Sequence, residues 1–113
     1  MFRNFLSYQI ALGFEQSCSL IENVSPQSRD DIRRCAHQSV HYLTRAIHAG
    51  DPIERSRSLF LSLTYLRDCK DALDAAGVEQ FDVRGRFLVL HGRLEQLCWE
   101  SAGAEKGQLR MLG

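Results

Sequence analysis

The sequence predicts an all-α protein, an antiparallel up-down-up-down four-helix bundle. Three observations predict it. Four segments repeat apolar residues at spacings of three and four, the period of a helix face. Helix start and stop residues stand between those segments. No segment shows the alternation of a strand or a hairpin pair such as Asn-Gly.

The first helix is expected from about Asn4 to Asn23. Leu6, Ile10, Gly13, Phe14, Ser17, Ile21 and Val24 fall on one face at about 100° per residue. Ser25-Pro26 then opens the second helix: Ser25 can accept an N–H as the N-cap, and Pro26 suits the first helical position. Asp30 and Asp31 follow near the positive end of the helix dipole. Ile32, Ala36, Val40, Leu43 and Ile47 form its inner line, and Gly50 is expected to end it in the left-handed conformation.

Asp51-Pro52-Ile53-Glu54 is the strongest start signal, an N-cap Asp, a first-turn Pro and a Glu placed as in a capping box. The third helix is expected to run to about Ala76, with Leu59, Phe60, Leu63, Leu66 and Leu73 inward and Gly77 as its stop. The fourth is expected after Asp82, with Val83, Phe87, Leu90, Leu94 and Leu97 inward and Gly103 at its end. Short loops make consecutive helices antiparallel neighbours. At 113 residues the chain is one domain. The bundle is expected over 1–103, and 104–113 as a flexible C-terminal tail.

Lys plus Arg number 14 and Asp plus Glu 14, so the formal net charge is zero. That argues against a surface built throughout to hold nucleic acid, because such domains are basic overall. The longest apolar run is Phe87-Leu88-Val89-Leu90, far short of the roughly 20 residues of a membrane span. Met1-Phe2-Arg3-Asn4 lacks a secretory pattern. Cys18, Cys35, Cys69 and Cys98 include no CxxC pair and read as reduced thiols of a cytoplasmic protein. The angles of Cys18, Cys35 and Cys69 place them beside the inner lines, as semi-buried packing residues.

Apolar residues remain after each inner line is assigned. Phe5, Tyr8 and Leu12 lie nearly opposite the first helix's line, and Leu61, Tyr65 and Ala72 opposite the third's. Paired stripes of this kind suggest a subunit interface, against the alternative of a core wrapping further round each helix. Phe5, Tyr8, Leu12, Leu61 and Tyr65 are therefore the candidate contacts for self-association. Gly85, Gly92 and Trp99 follow one another at seven-residue intervals on one flank, where another helix backbone can come close.

Chemistry is sparse. His37 and His41 stand at i and i+4, and His48 falls near the same line, but no HExxH or Glu-x-x-His motif supplies further ligands, so no metal or other cofactor is expected. Arg33, Arg34 and Arg45 join these histidines in a flank with no acid in its middle turns. Arg33, Arg34, His37, His41, Arg45 and His48 are the candidate nucleic-acid contacts, set against an ordinary solvated face. No GxSxG, glycine-rich phosphate loop or paired-carboxylate pattern is present, and an enzyme is not expected.

Phe5-Leu6-Ser7-Tyr8-Gln9-Ile10-Ala11, Pro26, Ile32-Arg33-Arg34-Cys35-Ala36 and Ile47 with Gly50, Arg55-Ser56-Arg57 and Phe60-Leu61 carry a resemblance. The chain resembles the bacterial four-helix-bundle proteins encoded by intervening sequences in large-subunit ribosomal RNA genes. These are related to the accessory variability proteins of diversity-generating retroelements. It departs from their Asn-Ile-Ala-Glu-Gly segment at Ala46 and Ala49. The resemblance implies an up-down bundle, often a ring-shaped homopentamer, with no established enzymatic activity. The retroelement members are basic and bind nucleic acid and a reverse transcriptase; this chain is neutral. The expected function is a non-enzymatic homo-oligomeric interaction module without membrane contact. The alternative is a nucleic-acid-binding accessory protein using the His/Arg flank.

Overall fold

In the computed structural model, the backbone is described for residues 2–112 and side chains for 5–103. Four helices follow one another: α1 (Phe2–Ser19), α2 (Pro26–Ile47), α3 (Pro52–Ala75) and α4 (Phe81–Leu112). Cα atoms approach within 8 Å along α1–α2, α2–α3, α3–α4 and α1–α4, and across neither diagonal among the described residues. Sequential neighbours plus closure of α4 on α1 make the antiparallel four-helix bundle that short loops require. No described helix is long and apolar enough to cross a membrane.

Local chemistry sets most boundaries. Ser25 Oγ accepts the Ser28 N–H at 3.1 Å, with Pro26 opening α2. Asp51 Oδ1 accepts the Ile53 N–H at 2.9 Å at the start of α3. Gly77, at φ +69°, turns the chain after α3. There Val78 N–H reaches Leu73 O at 3.0 Å and Gly77 N–H reaches Asp74 O at 3.1 Å, the two bonds of a Schellman ending.

Three expected stops differ. α1 ends at Ser19 rather than about Asn23, and Asn23 itself takes a left-handed φ of +62° in the turn before α2. α2 ends at Ile47 with His48 as its C-cap, and Gly50 has no positive φ, because Asp51 immediately opens the next helix. α4 starts at Phe81 and passes through Gly103 to Leu112, since a glycine without a left-handed turn does not end a helix. The expected tail over 104–113 therefore has helical backbone to Leu112, and its side chains lie outside the described residues.

The core follows α2 and α4 as expected and rotates elsewhere. Ile32, Ala36, Val40 and Leu43 are buried, as are Val83, Phe87, Leu90 and Leu94, while Ile47 and Leu97 are half-buried. On α1 the inward residues are Ser7, Ala11, Phe14, Ser17 and Cys18, continued by Ile21 just past its end. Leu6 is exposed instead, because small side chains at 7, 11 and 18 let α1 sit close to its neighbours. On α3 Phe60 is 61% exposed, and Ser58, Ser62 and Cys69 are buried. Ser39 and Ser62 explain that rotation. Ser39 Oγ donates to Ser62 O at 2.9 Å and Ser62 Oγ donates to Ser39 O at 2.6 Å, a reciprocal clasp that draws α2 against α3. Phe14 meets Phe87 edge-on at 6.1 Å and joins α1 to α4.

Cys18 and Cys69 lie fully in the core rather than at its margin. Cys69 Sγ points at Ile32 O at 3.7 Å. A hydrogen bond with Cys18, and then burial, push the Cys69 thiol far above its ordinary range, so it stays protonated. Burial likewise raises Cys35 and Cys98.

Candidate functional site

The candidate residues of α2 fall on the outside of the bundle, but acids come with them. Glu15 of α1 places Oε2 3.4 Å from His37 Nδ1, and Asp31 Oδ1 lies 3.0 Å from Arg34 Nη2. Arg33 Nη2 donates to Ser19 O at 3.1 Å, bracing the end of α1. His41 packs its ring against Tyr42, with centroids 5.1 Å apart. Only His41, Arg45 and His48 keep exposed heads outside these pairings. The flank has no acid between Arg33 and His48, but Asp31 at its start on α2 and Glu15 from α1 stand beside it, which lowers its attraction for a phosphate backbone. Among the described residues, no three His, Cys, Asp or Glu side chains converge as a metal site.

The five candidate interface residues also separate. Phe5 is exposed, whereas Tyr8 and Leu12 pack against the core, as a wide core requires. Leu61 is half-buried, and Tyr65 stacks flat on Tyr42 at 5.6 Å, in the α2–α3 groove. α1 and α3 are diagonal, so these stripes do not merge into one surface.

Exposed apolar side chains stand at Phe5 and Leu6 of α1, at Leu20 just after it, at Ile53 and Phe60 of α3, and at four positions of α4. Phe81 is 92% exposed and Trp99 83%, with Leu88 and Val89 also largely in water. The inner residues Val83, Phe87, Leu90 and Leu94 point the other way, so α4 is apolar on two opposite faces. Beside α1, the residues Ile10, Phe81, Asp82, Gly85, Arg86 and Val89 line a groove of about 430 Å³. Gly13 keeps that side open: a Cβ there would meet Arg86 Nη1 at 2.6 Å, so glycine lets the guanidinium cross α1. Arg86 Nε in turn donates to Asp82 Oδ1 at 3.0 Å.

The opposite flank of α4 is held to α3 by charge. Arg84 Nη2 lies 2.7 Å from Asp74 Oδ1, and Lys70 Nζ lies 2.8 Å from Asp74 Oδ2. Hydrogen bonds from Lys70 and then Arg84 hold the Asp74 carboxyl below its ordinary range. Arg84 Nε also closes on Val78 O at 2.9 Å. These contacts line the half-exposed rim between α3 and α4, while burial of Val83, Phe87, Leu90 and Leu94 sets the direction the outer face of α4 presents.

Sequence reasoning finds Gly85, Gly92 and Trp99 on that face and misses Phe81, Leu88 and Val89. Phe81 is missed because the helix is expected to begin after Asp82. Leu88 and Val89 vanish into the apolar run from Phe87 to Leu90. Counting by fours and threes from Phe81 finds the line. The chain matches no family model, no curated protein and no solved structure.

Proposed function

We propose that the protein is a non-enzymatic interaction module of the cytoplasm that associates with copies of itself. One observation carries the reading: the outer face of α4 holds Phe81, Leu88, Val89 and Trp99 in water, all more than half exposed. Grouped exposed apolar side chains of this size mark surfaces that meet a partner. Scattered ones carry no such meaning. The resemblance to the intervening-sequence family, whose members self-associate, supports self-association over a foreign partner. Asp31 beside Arg34 and Glu15 beside His37 support it further, since they weaken that face's attraction for a polyanion.

Sedimentation velocity across the micromolar range tests this. The expected result is a monomer at low concentration and a larger species as concentration rises. Leu88→Glu and Trp99→Ser are expected to hold the chain monomeric without lowering its melting temperature in dilute solution. A strict monomer at high micromolar concentration overturns the reading.

A further inference from the structure

The outer face of α4 has a register. Phe81, Gly85, Leu88, Gly92, Glu95 and Trp99 are separated by four, three, four, three and four residues. That is the seam of a coiled coil, which repeats every 3.5 residues. Val83, Phe87, Leu90 and Leu94 repeat the same steps on the opposite side and are buried in the bundle. One helix thus carries two seams, one filled within the chain and one empty.

The glycines of the empty seam answer to nothing inside the chain. A Cβ on Gly85 or Gly92 meets no atom within 4 Å, and neither has a positive φ. Glycine is the poorest helix former after proline, so a helix interior does not favour it for its own sake. Bare backbone at two seam positions is a recess that a neighbouring helix's side chains fill.

We infer that the association proposed above is an antiparallel dimer of α4 on α4, with its two-fold axis between Leu88 and Gly92; this rests on the self-association reading. In that pairing Leu88 enters the recess at the partner's Gly92, Phe81 meets the partner's Trp99, and Gly85 faces the partner's Glu95. Val89 lies beside its own copy. Large side chains meet recesses in the middle and rings meet rings at the ends. A parallel pairing sets glycine against glycine and Glu95 against the partner's Glu95, opposing like charges. The antiparallel one keeps the two Glu95 carboxylates apart, each beside its own His91 at 3.0 Å. The avoided repulsion selects the orientation.

Area agrees. Phe81, Leu88, Val89 and Trp99 leave on the order of 600 Å² of apolar side chain in water, given 150–250 Å² for an aromatic residue. Two copies together bury on the order of 1,200 Å², where specific protein interfaces begin. A C2 contact is closed and self-complementary, so it needs no second patch.

Three measurements on the full chain test this. Gly92→Glu points its side chain into open space within the monomer, so the dilute melting temperature is expected to hold or rise. The dimer dissociation constant is expected to weaken more than about a hundredfold, because a charge then fills the recess that takes the partner's Leu88 at the centre of the seam. In a background carrying Cys35→Ser and Cys98→Ser, a short bismaleimide is expected to join Val89→Cys chains rapidly and Trp99→Cys chains slowly. Sedimentation equilibrium is expected to give two chains. A wild-type monomer at high micromolar concentration removes the self-association reading together with the dimer. Association unchanged by Gly92→Glu removes the α4 seam alone, as does a stoichiometry above two. Rapid joining of Trp99→Cys with slow joining of Val89→Cys overturns the antiparallel arrangement. If Gly92→Glu melts early, the cross-linking comparison decides.

Discussion

α2 and α4 stand on one diagonal of the bundle and contribute the same kind of inner line, Ile32-Ala36-Val40-Leu43 in one and Val83-Phe87-Leu90-Leu94 in the other. Their outer faces have nothing in common. α2 turns Arg34, His37, His41 and Arg45 to solvent, and Asp31 and Glu15 stand beside two of them. α4 turns Phe81, Leu88, Val89 and Trp99 to solvent around two glycines. The inner lines build the bundle, and the outer lines are free to differ because folding does not use them. An outer line that is apolar without need is then the place to look for function.

The largest effects should come where the two helices are alike. Leu43→Ala and Leu90→Ala each empty a fully buried site and are expected to cost about 2–5 kcal/mol, read by urea denaturation. A cost for Leu90→Ala far below that for Leu43→Ala would show that α4 is only loosely part of the core.

The serine clasp comes next. Ser39→Ala and Ser62→Ala are each expected to cost about 1 kcal/mol, and the double variant less than the sum, because the two hydroxyls share one set of bonds. Additive losses would mean that each serine acts alone.

Outer substitutions sharpen the contrast. His41→Glu with Arg45→Glu is expected to change stability by no more than about 0.5 kcal/mol and to leave association intact. If the same pair abolishes a salt-dependent binding of single-stranded RNA, α2 is a working surface as well and the contrast with α4 breaks.

The smallest effect concerns acid. The folded value of Asp74 lies below 3.8, so its links to Lys70 and Arg84 contribute above about pH 4 and are lost as pH falls through the folded value. An NMR titration of the Asp74 carboxyl is expected to have its midpoint below 3.8, and Asp74→Asn is expected to remove that part of the acid sensitivity. A midpoint at or above 3.8 would mean that α4 is not braced against α3 by charge.

Much of the bundle is legible from residue types. Ser25-Pro26, Asp51-Pro52 and Gly77 act at the termini they mark, because capping is local chemistry. The azimuth of α1 is less legible, since Leu6 and Ile10 outrank Ser7 and Ala11 in apolarity while the packing favours the small residues. Phe60 fails for a related reason: Ser62 takes the seam through hydrogen bonds that no hydrophobic pattern shows. The α2 flank illustrates a different limit. Its middle turns carry no acid, but Asp31 reaches Arg34 from the helix's own first turns and Glu15 arrives from another helix. The α4 surface is half legible, as two glycines and a tryptophan without the phenylalanine and leucine that complete their register.

Cys18 and Cys69 are both buried in the core, yet they stand on diagonal helices whose Cα atoms stay more than 8 Å apart. A disulfide needs less than about 7 Å. Air and mild oxidants therefore cannot join these two sulfurs in the native bundle. A covalent link between these two sulfurs would form only while α1 swings in toward α3, so its rate of appearance is a clock for how often the bundle breathes.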